Sequence, residues 1–178
     1  MLALATVLAL VAVQRVAELR LAKRNLARAL ASGGRLVDEP WYPLFFVLHA
    51  GWLIAWLVEG WLRGPSVDPL WPAWAAGFAL ASALRYWAIT SLGPRWNTRI
   101  VVHDGAAPVR RGPYALLAHP NYLAVALELA CAPMIFGAWI TALVCTALNA
   151  ALLLGLRIPA EIAAVRQAAS THHGSDHD

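Results

Sequence analysis

The chain is short of charge. Asp, Glu, Lys and Arg make up 13% of its 178 residues, against roughly 25% in an ordinary soluble domain. Lysine occurs once, at Lys23, beside thirteen arginines. Cysteine is almost missing, and Cys131 and Cys145 both lie inside apolar runs, which argues against a disulfide framework and leaves the redox compartment open. No internal repeat is visible, which argues against a transporter assembled from inverted halves. The first apolar run has neither a basic start nor a clear small-residue cleavage site, so it reads as a retained span and not a removed signal peptide.

What is present in excess is apolar surface. Hydrophobic residues are 60% of the chain, with nine tryptophans. A globule of this length leaves too much of its surface exposed to hide that content, which disfavours a soluble enzyme, a disordered chain and a nucleic-acid binder. The formal charge of +4 is better explained by basic residues at membrane edges than by nucleic acid. One domain is expected, over residues 1–169, followed by a disordered polar tail at 170–178. The tail's His172, His173 and His177 read as part of a disordered terminus ahead of an adventitious metal site.

A spanning helix needs roughly 20 apolar residues. The first candidate runs from Met1 to Ala17, with the helix continuing through Glu18 to Leu30. Others cover Trp41–Leu62 behind Glu39-Pro40, Leu70–Leu92 closed by Gly93-Pro94, Pro120–Phe136, and Ala138–Leu156, the last two joined by a turn at Gly137. The expected fold is therefore an all-α membrane bundle of five spans. Of 14 Lys and Arg residues, twelve fall on one side: six from Arg15 to Arg35, four from Arg95 to Arg111, then Arg157 and Arg166. The positive-inside rule places that side in the cytoplasm, the N-terminus outside and the C-terminus inside. Trp41, Trp61, Trp71, Trp96 and Trp139 lie at or near span ends, as an interfacial belt requires.

Candidate chemistry gathers in the polar stretch from Gly93 to His119. It carries turn punctuation at Gly105, Pro108, Gly112-Pro113 and Pro120, and Arg99 to His103 reads as one extended segment. Pro120 suits the first turn of a helix, which puts His119 beside free backbone amides able to meet an anion. Tyr122 lies on roughly the same face. Taken alone, this cluster also fits a plain interfacial loop with basic and aromatic anchors.

Arg110-Arg111-Gly112-Pro113-Tyr114, then His119-Pro120-Asn121-Tyr122, two apolar spans and Arg157-x-x-x-Glu161, together resemble the isoprenylcysteine carboxyl methyltransferase family of membrane enzymes. The likeness runs from about Arg85 to Arg166. It implies methyl transfer from S-adenosylmethionine at the cytoplasmic face. It also implies that Gly112, Pro113 and Tyr114 shape a loop, that His119 and Tyr122 contact the cofactor, and that Arg157 and Glu161 close the pocket. Ala118 stands where the family usually has arginine, so Arg111 or Arg110 is expected to hold the cofactor's carboxylate. Glu161 is followed by Ile162 where a second glutamate is common, and Pro159 is expected to start a new helix.

Ionisable groups at membrane depth are functional hypotheses by default. Glu128, eight residues into the fourth span, can orient an acceptor, deprotonate a phenol, or pair with Arg85; both are candidate catalytic residues. Asn149 reads as a helix–helix hydrogen-bonding residue, His49 as packing, and Glu59 as a hydrated or snorkelling end residue. Trp87 and Trp96 read as belt or packing residues ahead of a lipid tunnel.

A membrane-embedded methyltransferase makes sense for an acceptor that partitions into lipid, which requires one opening between spans and one to the cytoplasm. Thirteen arginines to one lysine with many alanines suggests a GC-rich bacterial genome, hence a bacterial plasma membrane. The resemblance, through bacterial members that O-methylate lipophilic phenols or pyrones, implies a phenolic lipid or polyketide ahead of a prenylcysteine, with a type III polyketide synthase as functional partner. The other readings are an NADPH-dependent sterol or enone reductase, with Arg95, Arg99, Arg110 and Arg111 on its phosphates, and a non-enzymatic scaffold.

Overall fold

The computed structural model describes residues 2–64 and 66–174, with side chains inside the last helix described through Ala168. Among them run α1 (Leu2–Ala31), α2 (Tyr42–Leu62), α3 (Trp71–Leu92), α4 (Pro120–Met134), α5 (Trp139–Leu152) and α6 (Ile158–Gly174). The segments Leu2–Ala31, Tyr42–Leu62 and Trp139–Ala168 are long and apolar enough to cross a membrane. The chain is an all-α membrane bundle. The first helix continues past the apolar run as the sequence implies, and Pro120 occupies the opening turn of α4. Of the expected tail, α6 covers the stretch to Gly174, and residues 175–178 lie outside the described residues.

Pro159 stands in the first turn of α6, as the sequence implies, but no break precedes it. Trp139–Ala168 is continuous, because the turn before the proline is π-helical over Leu153–Arg157 and the Ile158 amide bonds to the Leu153 carbonyl. Widening the helix by one residue relieves the clash of a proline ring with the preceding turn. It also turns Arg157 inward, where it is buried.

The core forms where α1, α2, α4 and α5 converge, around Leu4, Leu8, Trp52, Trp56, Leu129, Phe136 and Cys145. Trp52 donates its indole N–H to the Leu129 carbonyl at 3.2 Å, which satisfies the ring's one polar atom inside apolar packing. Here α1 lies close against α2, since a Cβ on Gly60 would sit 2.9 Å from Leu4 Cδ2. Glu59 is not a loose end residue. Its carboxylate accepts the Ile140 and Thr141 amides (3.1 and 2.7 Å) and the Thr141 hydroxyl (2.7 Å), capping the start of α5 from across the bundle. Trp61, Trp71 and Trp139 are well exposed near helix ends, whereas Trp96 is 2% exposed and packs on Ala22 and Ile89. Its place is beneath the loop and not in a belt.

At mid-bundle, α1, α3 and α4 are joined by four charges, of which Glu18, Arg85 and Glu128 are buried and Arg15 partly so. Arg85 grips Glu18 with two bonds (Nε 2.9 Å, Nη2 2.6 Å) and reaches Glu128 with Nη1 at 3.2 Å. Arg15 bridges the same two carboxylates at 3.0 and 2.8 Å, and Ser82 donates to Glu128 at 3.0 Å. The four charges sum to zero, which is what the interior of a membrane bundle tolerates.

The polar end holds the residues between α3 and α4. β1 (Arg35–Leu36) pairs antiparallel with β2 (Val101–Val102), Arg35 opposite Val102, and Ile100 and Val102 pack on Ala164 and Ala168 of α6. Asn25 of α1 donates its amide to the Trp96 carbonyl at 2.8 Å. The stretch Gly112–Ala115 is a single 3-10 turn pressed against α3: Gly112 has φ +58, and a Cβ there would lie 2.1 Å from Ser91 Oγ.

Two outcomes follow for stability. Glu18→Gln strands part of two buried guanidinium groups and is expected to cost about 3–5 kcal/mol, read as a large fall in thermal stability in detergent. An unchanged melting temperature would show that the lattice does not hold the bundle. Gly112→Ala meets both a positive φ and a collision, so loss of the loop's protection from proteolysis is expected, at a cost of about 1–3 kcal/mol.

Candidate active site

Two cavities share a wall. The first, about 1030 Å³, lies at the polar end between residues 94–109, the start of α4 and the inner face of α6. The second, about 320 Å³, lies between α1 and α2 at mid-bundle. Trp96, Asn97, Asn121, Tyr122 and Arg157 line both.

The sequence-predicted site residues divide into three groups. Tyr114, His119, Tyr122, Arg157 and Glu161 come together on the first cavity. Tyr122 donates its hydroxyl to Glu161 at 2.5 Å and accepts from Arg157 Nε at 3.1 Å, and the His119 ring stacks on it with centroids 5.1 Å apart. Burial, with the Glu161 charge adding to it, pushes the Tyr114 phenol up to about 12, so it stays protonated and able to donate at neutral pH.

The second group shapes the cavity from behind. Pro113 is buried, Gly112 makes the close approach to α3, and Arg111 turns away, with Nε donating to the Ser91 carbonyl at 2.8 Å. Neither Arg110 nor Arg111 lines the cavity, so neither stands where the missing family arginine is to be replaced. The third group is Arg85 and Glu128, held in the mid-bundle lattice. Arg85 lines the second cavity, while Glu128 lines neither of the two.

Several site residues were missed. Glu39 has a fully buried carboxylate that accepts the Ile100 amide at 2.8 Å, Arg99 Nε at 3.1 Å, and Arg157 Nη1. The available signal was a carboxylate set among the cations of the basic side. Arg28 and Arg95 line the first cavity. Arg95 donates to the Ala107 carbonyl at 2.9 Å. Among the described residues neither arginine is ion-paired, so these two supply the cavity's uncompensated positive charge.

Asn149 is not a helix–helix linker. Both its amide atoms are buried without a partner, as are both of Asn97, Oδ1 of Asn121 and the Trp96 indole nitrogen. All of these residues line the second cavity. Buried polar atoms left unpaired are costly, and their concentration at one junction marks a place built to meet polar atoms of something else.

The arrangement offers one polar chamber, with an aromatic stack, a carboxylate and two available cations, next to one apolar chamber in the lipid-facing body. Residues 74–167 match the isoprenylcysteine carboxyl methyltransferase family. The chain is also 34% identical over 160 residues to "Uncharacterized protein YpbQ" of Bacillus subtilis (strain 168), covering 90% of this chain and 95% of that one. No solved structure matches it. By the family match over more than half its length, the chain belongs to the isoprenylcysteine carboxyl methyltransferase family of membrane methyltransferases.

Proposed function

We propose that the protein transfers a methyl group from S-adenosylmethionine to an oxygen of a lipophilic acceptor, at the cytoplasmic face of a bacterial plasma membrane. The observation that carries this is a pair of contiguous cavities, one at the polar end of the bundle and one between α1 and α2. Polar groups of α4 and α6 face the first, whereas Ala12, Val16 and Leu19 of α1 and Phe46 and Leu53 of α2 face the second. Val16, Leu19 and Phe46 are also exposed on the outside of the bundle. The second cavity therefore opens sideways, toward lipid.

The residues of the first cavity fit the methyl donor. S-adenosylmethionine supplies an electrophilic methyl group on a cationic sulfur, with an amino-acid end and a nucleoside end for the protein to hold. Arg28 or Arg95 is suited to its carboxylate, Glu161 to a ribose hydroxyl pair or the adenine amine, and the His119–Tyr122 stack to a flat face. Tyr122 and Arg157 fix the direction of the Glu161 carboxylate. Positioning of donor against acceptor supplies much of the acceleration in such an in-line transfer, and no covalent residue is required.

The same cavity suits NADPH poorly. Of the four arginines assigned to its phosphates, Arg110 and Arg111 lie outside the cavity, and Arg99 is paired with Glu39. That leaves Arg95, joined by Arg28, against three phosphate groups, with Glu161 repelling them. The basic end of the bundle carries twelve of the fourteen cations, which supports its cytoplasmic position and an outside N-terminus. A phenolic lipid or polyketide ranks above a prenylcysteine as acceptor, and a type III polyketide synthase is the class of enzyme that would supply it.

Purified protein in detergent is expected to gain thermal stability with S-adenosylmethionine or its demethylated product and not with NADPH. Glu161→Gln and His119→Ala should weaken that binding by about 10-fold or more, the worth of one charge-assisted contact. A gain with NADPH alone would overturn the reading.

A further inference from the structure

Within that methyltransferase reading, we propose that His49 is the general base that takes the proton of the acceptor's hydroxyl, while Asn97 and Asn121 hold the hydroxyl at the junction of the two cavities. A phenol or enol needs such a base, since an ordinary phenol titrates near 10. Glu128 is poorly placed for it. Its Oε2 accepts from Arg15 and Arg85, its Oε1 accepts from Ser82, and it faces neither cavity.

His49 is placed differently. It lines the second cavity, and its Nδ1 lies 2.8 Å from the Phe45 carbonyl oxygen. A carbonyl can only accept, so Nδ1 carries the proton. In the neutral ring the lone pair is then on Nε2, which bonds no described residue. This is how a histidine base is oriented: one nitrogen anchored to a carbonyl, the other open toward its substrate. Asn97 and Asn121 line both cavities with unpartnered amide atoms. A hydroxyl donates to one amide oxygen and accepts from one amide N–H, whereas an ionised carboxylate offers no proton to Oδ1. The junction thus reads a neutral hydroxyl in preference to a carboxylate.

The step balances. The O–H bond breaks and its proton passes to Nε2. The oxygen's freed pair forms the bond to the methyl carbon as the S–CH₃ bond breaks, its electrons staying on a now neutral sulfur. The imidazolium that results faces Arg15, Arg85 and Glu18 across the same cavity; the two arginines disfavour its charge, so it is short-lived and returns its proton to water by way of the first cavity.

The test uses full-length protein in lipid nanodiscs with three acceptors: a 5-alkylresorcinol, a nitrophenol carrying the same alkyl chain and ionised near neutral pH, and an S-farnesylcysteine carboxylate. His49→Asn keeps a donor for the Phe45 carbonyl and deletes Nε2. It should lower turnover of the resorcinol by about 100-fold or more, leave resorcinol binding to the unloaded protein unchanged, and leave the nitrophenol rate near wild type. Asn97→Leu and Asn121→Leu should raise KM for the resorcinol.

Wild-type protein gives a second measurement that does not rest on a variant folding. Its resorcinol rate should show a solvent deuterium isotope effect, since the O–H bond breaks in the transfer step, while the rate with the already ionised nitrophenol should show none. Arg15, Glu18, Arg85, Tyr42, Tyr122 and Arg157 face the same cavity; Arg15, Glu18 and Arg85 sit in the buried lattice, and the two acceptors experience all six alike. Equal loss on both phenols in His49→Asn, or methylation of the carboxylate but neither phenol, would overturn the proposal. Binding and consumption of S-adenosylmethionine in those same samples would show that only the role of His49 had failed. If S-adenosylmethionine is neither bound nor consumed with any acceptor, the methyltransferase reading fails as well.

Discussion

The bundle depends on one arrangement, the closed set of Arg15, Glu18, Arg85 and Glu128. A single ion at bilayer depth costs several kcal/mol, and a buried pair repays its desolvation only when the geometry satisfies nearly every lone pair and proton. Here each carboxylate takes bonds from both arginines, so no member can leave without exposing the other three. The set fixes α1 against α3 and α4 at mid-depth. It also places α1 relative to α2, because the two touch through Leu4 and Gly60 toward the opposite end and part below. The apolar cavity is the space left over, and its charged wall is neutral in sum.

A second constraint of the same kind operates at the basic end. Glu39, fully buried, gathers Arg99, the Ile100 amide and Arg157. The extended segment after α3 is thereby fastened to the last helix through a carboxylate that precedes α2. Arg157 reaches inward because the π turn rotates it there, and its remaining Nε orients Tyr122, which orients Glu161. Four elements distant in sequence thus set the direction of one carboxylate. Glu39 spreads its one negative charge over two of the cavity's four arginines, so Arg28 and Arg95 are its free cations, which suit one carboxylate better than a set of phosphates.

Much of the fold was legible from periodicity and punctuation. Apolar runs bounded by Glu39-Pro40, Gly93-Pro94 and Gly137 gave the helices, and a proline free of any donor requirement marked the start of α4. What failed was local inference about groups whose partners are remote. Pro159 opens α6 as read, yet nothing in the sequence announces the π turn that joins it to α5 without a break. Glu59 looks like a hydrated end residue because its partners, Ile140 and Thr141, are some eighty positions away. Trp96 sits near a span end in sequence, yet Asn25 and the loop bury it. In the site, His119, Tyr122, Arg157 and Glu161 assemble because two helix faces meet. Arg28 from α1 and Arg95 from the turn after α3 line the polar-end cavity while Arg111 does not, because chain curvature and helix packing, invisible in a motif, decide which arginine points inward.

The choice of neutral amides at the junction has its own logic. A carboxylate acceptor brings a charge that must be met by a cation, and the nearest ones, Arg157 and Arg85, are already matched by Glu39 and by Glu18 with Glu128. Drawing either away would strand a buried carboxylate at a cost larger than one new ion pair returns. A hydroxyl makes no such demand, and unpartnered asparagines discriminate strongly for it, since a ligand lacking the matching donor leaves them unpaired. Under the proposed reaction the acceptor's charge arises only during transfer, as a phenolate forms beside a cationic sulfur and the two neutralise each other. A junction whose nearest arginines are already held by carboxylates therefore favours an acceptor that is neutral until the moment of transfer.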